Sequence, residues 1–185
     1  MREPAIRKAV PEDCQALTEL EFVSRHAAFL EMYGSGLGEP DRQEFLSRWE
    51  RKLAGRKFLV LMAFYDGDPA GYINLARGDG PLCFCIAGLY VLPSRWGDGT
   101  ASALMREADG VFARIAATEN LRRHKAGLEM LLPATELQII QENSRAERFY
   151  RKFGFEPTGK TEICDLGVKR IVICNMRKNW NTYGI

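Results

Sequence analysis

Histidine is scarce in this chain, with only His26 and His124 among 185 residues. The five cysteines, Cys14, Cys83, Cys85, Cys164 and Cys174, include no C-x-x-C pair. A structural zinc site needs four sulfur or imidazole ligands at close spacing, so no metal centre is expected. An odd number of cysteines in mostly apolar surroundings reads as buried free thiols of a cytoplasmic protein, not as a disulfide framework. Long apolar runs are missing as well. None approaches the roughly 20 residues of a membrane span, and the opening MREPAIRKA has no signal-peptide core. Charge of one sign is also lacking: 26 Lys and Arg face 24 Asp and Glu, for a net +2. With no long basic run, that excess is too small to argue for a nucleic-acid partner. Repeats, low-complexity tracts and linkers are absent, so residues 1–185 read as one domain, large enough to bury a core unaided.

What is present centres on LCFCIAGLYVLPSRWGDGTASAL, Leu82 to Leu104. An apolar run turns at Pro93 and passes Gly97 and Gly99. From Ala101 the apolar residues Leu104, Met105, Ala108, Val111, Phe112 and Ile115 trace one face of a 3.6-residue period. The spacing predicts a buried strand, a glycine turn and an amphipathic helix ending near Ala117. A helix N-terminus offers unpaired N–H groups and a partial positive charge, which suit a phosphate. Glycine lets a ligand approach the backbone closely, and Thr100 adds a hydroxyl donor. An ordinary strand-to-helix turn needs glycine equally, so both readings stand on these residues alone. A P-loop is excluded because no Lys follows Gly99 at the required spacing. A dinucleotide turn fits poorly, because Ser102 stands where a third small residue belongs and no βαβαβ repeat surrounds it.

A second stretch, TELQIIQENSRAERFYRKFGF, spans residues 135–155. Leu137 and Ile139 alternate with Glu136 and Gln138, as in a strand. A helix should open at Asn143 or Ser144, with Ser144 and Glu147 as a capping box. Ala146, Phe149, Tyr150 and Phe153 then share one face, and Gly154 stops the helix.

With both stretches in view, WGDGTA after LYVLP resembles the acetyl-CoA motif Q/R-x-x-G-x-G/A of the GNAT superfamily of N-acetyltransferases. NSRAERFYRKFGF resembles that family's second signature, an Asn opening a helix that ends in F-Y-x-x-x-G-F. The resemblance covers roughly Ile6 to Met176. It implies an α/β (α+β) GNAT fold: a mixed, mostly antiparallel twisted sheet of about six or seven strands, four or five flanking helices and a splayed central strand pair. The acetyl-CoA motif then spans 82–116, the second motif 135–155 and the acceptor-side helices 12–54.

The remaining elements read in order. Ala5 to Val10 alternates as a first strand, and Asp13 is a candidate N-cap for a helix carrying Leu17, Leu20, Val23 and Ala27. MYGSGLGEP, residues 32–40, is a loop, and a second helix starts near Asp41 and buries Phe45, Leu46, Trp49 and Leu53. Glu21, Glu31, Glu39, Asp41 and Glu44 would form an acidic rim for a cationic amine, or simply solvated helix faces. Lys57 to Tyr65 and Ala70 to Ala76 pair through an Asp66-Gly67-Asp68 turn. Residues 118–133 exceed what the family needs before its next strand and read as an inserted helix, lid or subunit contact. Thr161 to Asp165 and Lys169 to Met176 close the sheet around a turn at Leu166-Gly167.

The resemblance implies direct acetyl transfer from acetyl-CoA to a primary amine of a small molecule or peptide, with no metal, nucleic acid or membrane involved. Homodimers are common in the family. Backbone groups of Leu89, Tyr90 and Val91 would pair with the pantetheine arm and polarise the thioester oxygen. The amides of Trp96, Gly97, Asp98, Gly99, Thr100 and Ala101 would cradle the diphosphate. Trp96 replaces the motif's Gln or Arg and offers one indole N–H; Asp98, where Lys or Arg is common, would face solvent with Arg95 offsetting its charge. Tyr150 matches the general acid for the departing thiolate, and Asn143 would contact the pantetheine. The carboxylate many members carry on the central strand is replaced by Cys85, which leaves Glu136 or Glu142, acting through water, or solvent itself as the base. These departures also fit a non-catalytic acyl-CoA sensor.

Overall fold

The computed structural model describes residues 3–34, 41–165 and 169–182. Among the described residues, seven strands form one sheet: β1 (Ala5–Lys8), β2 (Phe58–Tyr65), β3 (Asp68–Arg77), β4 (Cys83–Val91), β5 (Ala134–Ile140), β6 (Glu156–Asp165) and β7 (Arg170–Asn179). Their order is β1-β2-β3-β4-β5-β7-β6, and only β4 and β5 run parallel. Four helices, α1 (Cys14–Tyr33), α2 (Arg42–Ala54), α3 (Thr100–Lys125) and α4 (Ser144–Lys152), flank it. This is the mixed, mostly antiparallel architecture that the sequence predicts. Residues 35–40, with Glu39 and most of the glycine-rich loop, and the Leu166-Gly167 turn lie outside the described residues.

Two apolar layers hold the helices to opposite faces. On one, Leu104, Met105, Ala108 and Phe112 of α3 are almost fully buried against Leu61, Ile73, Leu75 and Ile86, joined by Tyr150 and Phe155. Phe112 stacks on Phe84 with ring centroids 4.5 Å apart. On the other, Leu17, Leu20 and Trp49 of α1 and α2 cover Val60, Met62 and Tyr72. Each fully buried large side chain contributes roughly 1.5–3 kcal/mol relative to exposure, far more than the few tenths that helix propensity differences supply per residue. Packing therefore fixes where these helices sit. The β2–β3 hairpin closes through Asp66 (φ 52) and Gly67 (φ 96), the two left-handed positions of a type I′ turn.

Three expectations need correction. The helix expected to end near Ala117 continues to Lys125, so residues 118–125 extend α3 and form no separate inserted helix. Buried Asn120 explains the continuity: its Oδ1 accepts from Leu131 N at 2.8 Å and its Nδ2 donates to Leu131 O at 2.9 Å. Those bonds fasten the return segment to the helix as a backbone partner would. Asp13 does not cap α1 by accepting from its first turn. Its carboxylate reaches back instead, accepting from Val10 N at 2.8 Å and from both Arg7 guanidinium nitrogens at 2.7 and 2.8 Å. Not every cysteine is buried either: Cys14 and Cys83 are, but Cys164 is exposed and Cys85 and Cys174 are partly so.

β4 and β5 pair only from Cys83–Ile86 to Ala134–Leu137 and then separate. The separation begins where Ala87 bulges out of register with β3, between the pairs Leu75↔Ile86 and Asn74↔Gly88. A bulge bends its strand and raises the local twist, which swings the second half of β4 away from β5. The expected splay is present, and it opens a gap through the sheet. No helix among the described residues is long and apolar enough to cross a membrane.

Candidate active site

Two cavities meet at that gap. The wider, about 680 Å³, lies between α1, β4, β5 and the β6–β7 hairpin. The narrower, about 490 Å³, lies between the end of β4, the glycine loop and α4. Ala28, Leu89, Tyr90, Asn143, Ala146 and Tyr150 border both.

The narrower cavity is built largely from main chain. Leu92 N–H bonds Ala70 O across the β3 edge at 2.9 Å, so by strand alternation Leu89 and Val91 direct their main-chain groups into the gap. Tyr90, although expected to offer backbone groups there, turns them to β3, where it opposes Tyr72. Its ring faces the α1–α2 layer, tilted on Tyr72 at 5.4 Å. Val91 O is already taken, accepting from the Trp96 indole at 2.9 Å. Trp96 thus has no N–H left for a ligand. Its exposed ring instead carries the Arg145 guanidinium at 3.4 Å.

Asp98 and Thr100 also depart from expectation. Asp98 does not point to solvent: its Oδ1 accepts from Thr100 N at 2.9 Å and Thr100 Oγ1 at 2.6 Å, while its buried Oδ2 lies 3.7 Å from Arg95. Thr100 is fully buried, with its hydroxyl between Asp98 and Tyr65. Both residues stabilise the turn from behind, and neither lines the cavity. Trp96 N and Asp98 N bond Pro93 O and Arg95 O, so they are not free donors. The amides of Gly97, Gly99, Ala101 and Ser102 have no partner among the described residues, and all four residues border the cavity. Gly97 (φ 84) and Gly99 (φ 95) hold left-handed backbone with open space where a Cβ would project. With the 26-residue α3 behind them, these N–H groups suit an anion, and Arg148 and Lys152 add positive charge beside them.

Tyr150 is placed by both ends of its short helix. Asn143, not Ser144, is the N-cap: its Oδ1 accepts from Ala146 N at 3.0 Å, and Glu147 pairs with Arg151 instead of closing a capping box. At the other end Gly154 (φ 84) forms a Schellman motif, with Phe155 N bonding Tyr150 O at 3.2 Å and Gly154 N bonding Arg151 O at 3.0 Å. The accompanying apolar contact is the edge-on packing of Tyr150 and Phe155 at 5.7 Å. Tyr150 is 7% exposed, and its hydroxyl has no hydrogen-bond partner among the described residues. Burial, with a smaller contribution from Tyr90, holds the phenol well above its ordinary pKa. At any ordinary pH it carries a proton.

Glu136 borders the wider cavity opposite Cys85, with Arg177 of β7 bonded to its Oε1. Glu142 does not border either cavity; it accepts from Tyr33 OH at 3.1 Å. The acidic rim is largely neutralised. Glu21 is buried against Arg48 at 2.6 Å, Glu31 pairs with Arg145 at 2.7 Å, and Asp41 caps α2 by accepting from Gln43 N. Two site residues on α1 carry no signal in the sequence. Ser24 is 3% exposed, with a partnerless Oγ beside the narrower cavity, and Arg25 borders the wider one. Helical periodicity tells which face they share but not what the face covers.

A gapped parallel pair, a helix-terminal amide cradle and a buried tyrosine between two cavities make up the candidate site. Comparison with known proteins identifies the family. The family model "Acetyltransferase (GNAT) domain" matches residues 56–157, and the chain belongs to that family. L-amino acid N-acetyltransferase AaaT of Escherichia coli (strain K12) is 30% identical over 162 residues, 86% of each chain. An uncharacterised N-acetyltransferase of Mycobacterium tuberculosis is 34% identical over 113 residues, which span 61% of this chain and 62% of that relative. The PaiA N-acetyltransferase of Thermoplasma acidophilum, solved in complex with coenzyme A, matches with a TM-score of 0.64 at 22% identity, over 97% of this chain and all of that one.

Proposed function

We propose that this chain transfers an acetyl group from acetyl-CoA directly to a primary amine of a small molecule or peptide, with Tyr150 as general acid. The observation that carries the reading is the unpartnered, fully protonated Tyr150 hydroxyl where the two cavities meet. The name of the Escherichia coli relative and the coenzyme A bound by the Thermoplasma acidophilum neighbour support it.

The residues present fit the carrier. Free N–H groups of Gly97, Gly99, Ala101 and Ser102 suit a diphosphate, and the gap-facing main chain of Leu89 and Val91 N–H suit the amides of a pantetheine arm. The partnerless Ser24 hydroxyl and Asn143, whose amide nitrogen has no partner among the described residues, line the same path. Acetyl-CoA would supply an activated thioester with a thiol leaving group. The chain's own work is positioning, worth up to roughly 7–11 kcal/mol when geometry is near-attack, and proton handling. A main-chain N–H of β4 polarises the thioester oxygen. Tyr150 gives its proton to the leaving sulfur. Glu136, with one oxygen on Arg177, receives the amine proton through water.

Thiol release from acetyl-CoA against a panel of amines, with Tyr150→Phe alongside, tests the reading. Turnover on one amine class that collapses in the variant is expected. Coenzyme A binding without thiol release on any amine would replace the enzyme with an acyl-CoA sensor.

A further inference from the structure

Among the described residues, the only formally charged side chains that border the wider cavity are Arg25 and Glu136. Glu136 is neutralised by Arg177. Arg25 has no carboxylate partner among the described residues; its guanidinium carbon lies 5.4 Å from the Phe29 ring and 5.8 Å from Phe45. The acids on its own helix are engaged elsewhere, Glu21 with Arg48 and Glu31 with Arg145. Among the described residues the cavity therefore holds one uncompensated charge, and it is positive. The surrounding wall is largely apolar, with Phe29, Met32, Ile171 and Ile173 beside the amide side chains of Gln138, Asn143 and Asn175.

A guanidinium is permanently ionised and presents a planar fork of donors matched to a carboxylate. A polyamine or simple alkylamine brings a second positive or no charge, so it would leave Arg25 repelled or unpaired. We propose that Arg25 receives the carboxylate of the acceptor, which makes the acceptor a small α-amino acid with an apolar side chain. This rests on the acetyltransferase reading and assigns its specificity residue. Pairing has a second effect. A carboxylate held by Arg25 no longer stabilises the neighbouring ammonium, so the acceptor loses its proton more readily. That eases the demand on the tethered Glu136.

L-Leucine, L-leucinamide and 3-methylbutylamine share one apolar side chain and differ at the carboxylate, so the wild-type protein alone provides a first test. Leucine should be favoured over both in kcat/KM by roughly 10–100-fold, the range expected for a charge-assisted bidentate contact. Arg25→Gln should remove that preference through KM for leucine, leaving the other two within about threefold, and Arg25→Lys should fall between. Equal use of the three amines by the wild type, or an equal loss on all three in Arg25→Gln, would overturn the proposal. Calorimetric binding of leucine and leucinamide to the coenzyme A-saturated protein separates the two claims. Arg25-dependent leucine binding without turnover would sink the enzyme but keep the carboxylate site. Neither binding nor turnover dependent on the carboxylate would sink the site.

Discussion

The two cavities share a wall at Tyr150 but are made of different material. The narrower is shaped by main chain from one continuous stretch, Leu89 to Ser102, completed by α4. The wider takes side chains from α1, β4, β5, β6 and β7, segments spread over most of the chain. A site of main-chain amides tolerates changes in side chain as long as the turn keeps its shape. That is how Trp96 and Asp98 can replace the family's usual residues: one bonds Val91 O, the other Thr100, and four amides remain free. A side-chain site has no such tolerance, and its selectivity rests on individual groups.

Substitutions should separate the two halves in graded fashion. The largest effect is expected at the shared wall: Tyr150→Phe should lower kcat by roughly 10²–10⁴-fold while leaving both KM values nearly unchanged. Because burial raises the phenol's pKa, the wild-type pH–rate profile should show no alkaline fall from Tyr150 below about pH 10. A tyrosine limb at lower pH would break the assignment. Next, Gly99→Val forces a β-branched residue to φ 95, a strain on the order of 1–3 kcal/mol. Calorimetry should show coenzyme A binding weakened by roughly tenfold or more with the acceptor KM unmoved; an equal loss on both sides would deny that the cavities are separable.

Smaller effects sharpen the same contrast. Asn143→Ala removes the α4 cap, worth about 1 kcal/mol, and should lower Tm by roughly 2–4 °C for a chain of this size. Since Asn143 borders both cavities, both ligands should weaken by a similar small factor. Asp13 borders neither. The Arg7 guanidinium depresses its carboxyl pKa, against the opposing effect of burial, so its contribution is present above the unfolded pKa near 3.9 and lost as pH falls through the lower folded value. Asp13→Asn should therefore shift the urea midpoint most at pH 7 and progressively less as pH falls below about 4. A mutant gap that persists undiminished in acid would contradict the ion-pair origin.

The same division explains what the sequence could reveal. Strand, glycine turn and helix are local patterns, and so is the Asn143-to-Gly154 signature; each was legible because its physics acts within one stretch. Asp98 and Thr100 were misplaced because a side chain's choice between solvent and a neighbouring amide leaves no periodic trace. Glu21 looked like a solvated face, yet it is buried by Arg48, a partner on another helix. Arg25 was invisible as a site residue, because only the tertiary fold sets α1 against β4 and the β6–β7 hairpin. The length of α3 was missed for a related reason: nothing near Ala117 tells that Asn120 will bond Leu131.

The stacked pair of Trp96 and Arg145 has an optical consequence. Of the three indoles, Trp49 is fully buried and Trp180 is bonded to Thr135, whereas Trp96 is exposed at the rim of the anion site. Its fluorescence is sensitive to the guanidinium 3.4 Å above its ring and to any charge that draws Arg145 away. A change in tryptophan emission is therefore expected on addition of a phosphate-bearing ligand that draws Arg145 away, with buried Trp49 the less affected indole.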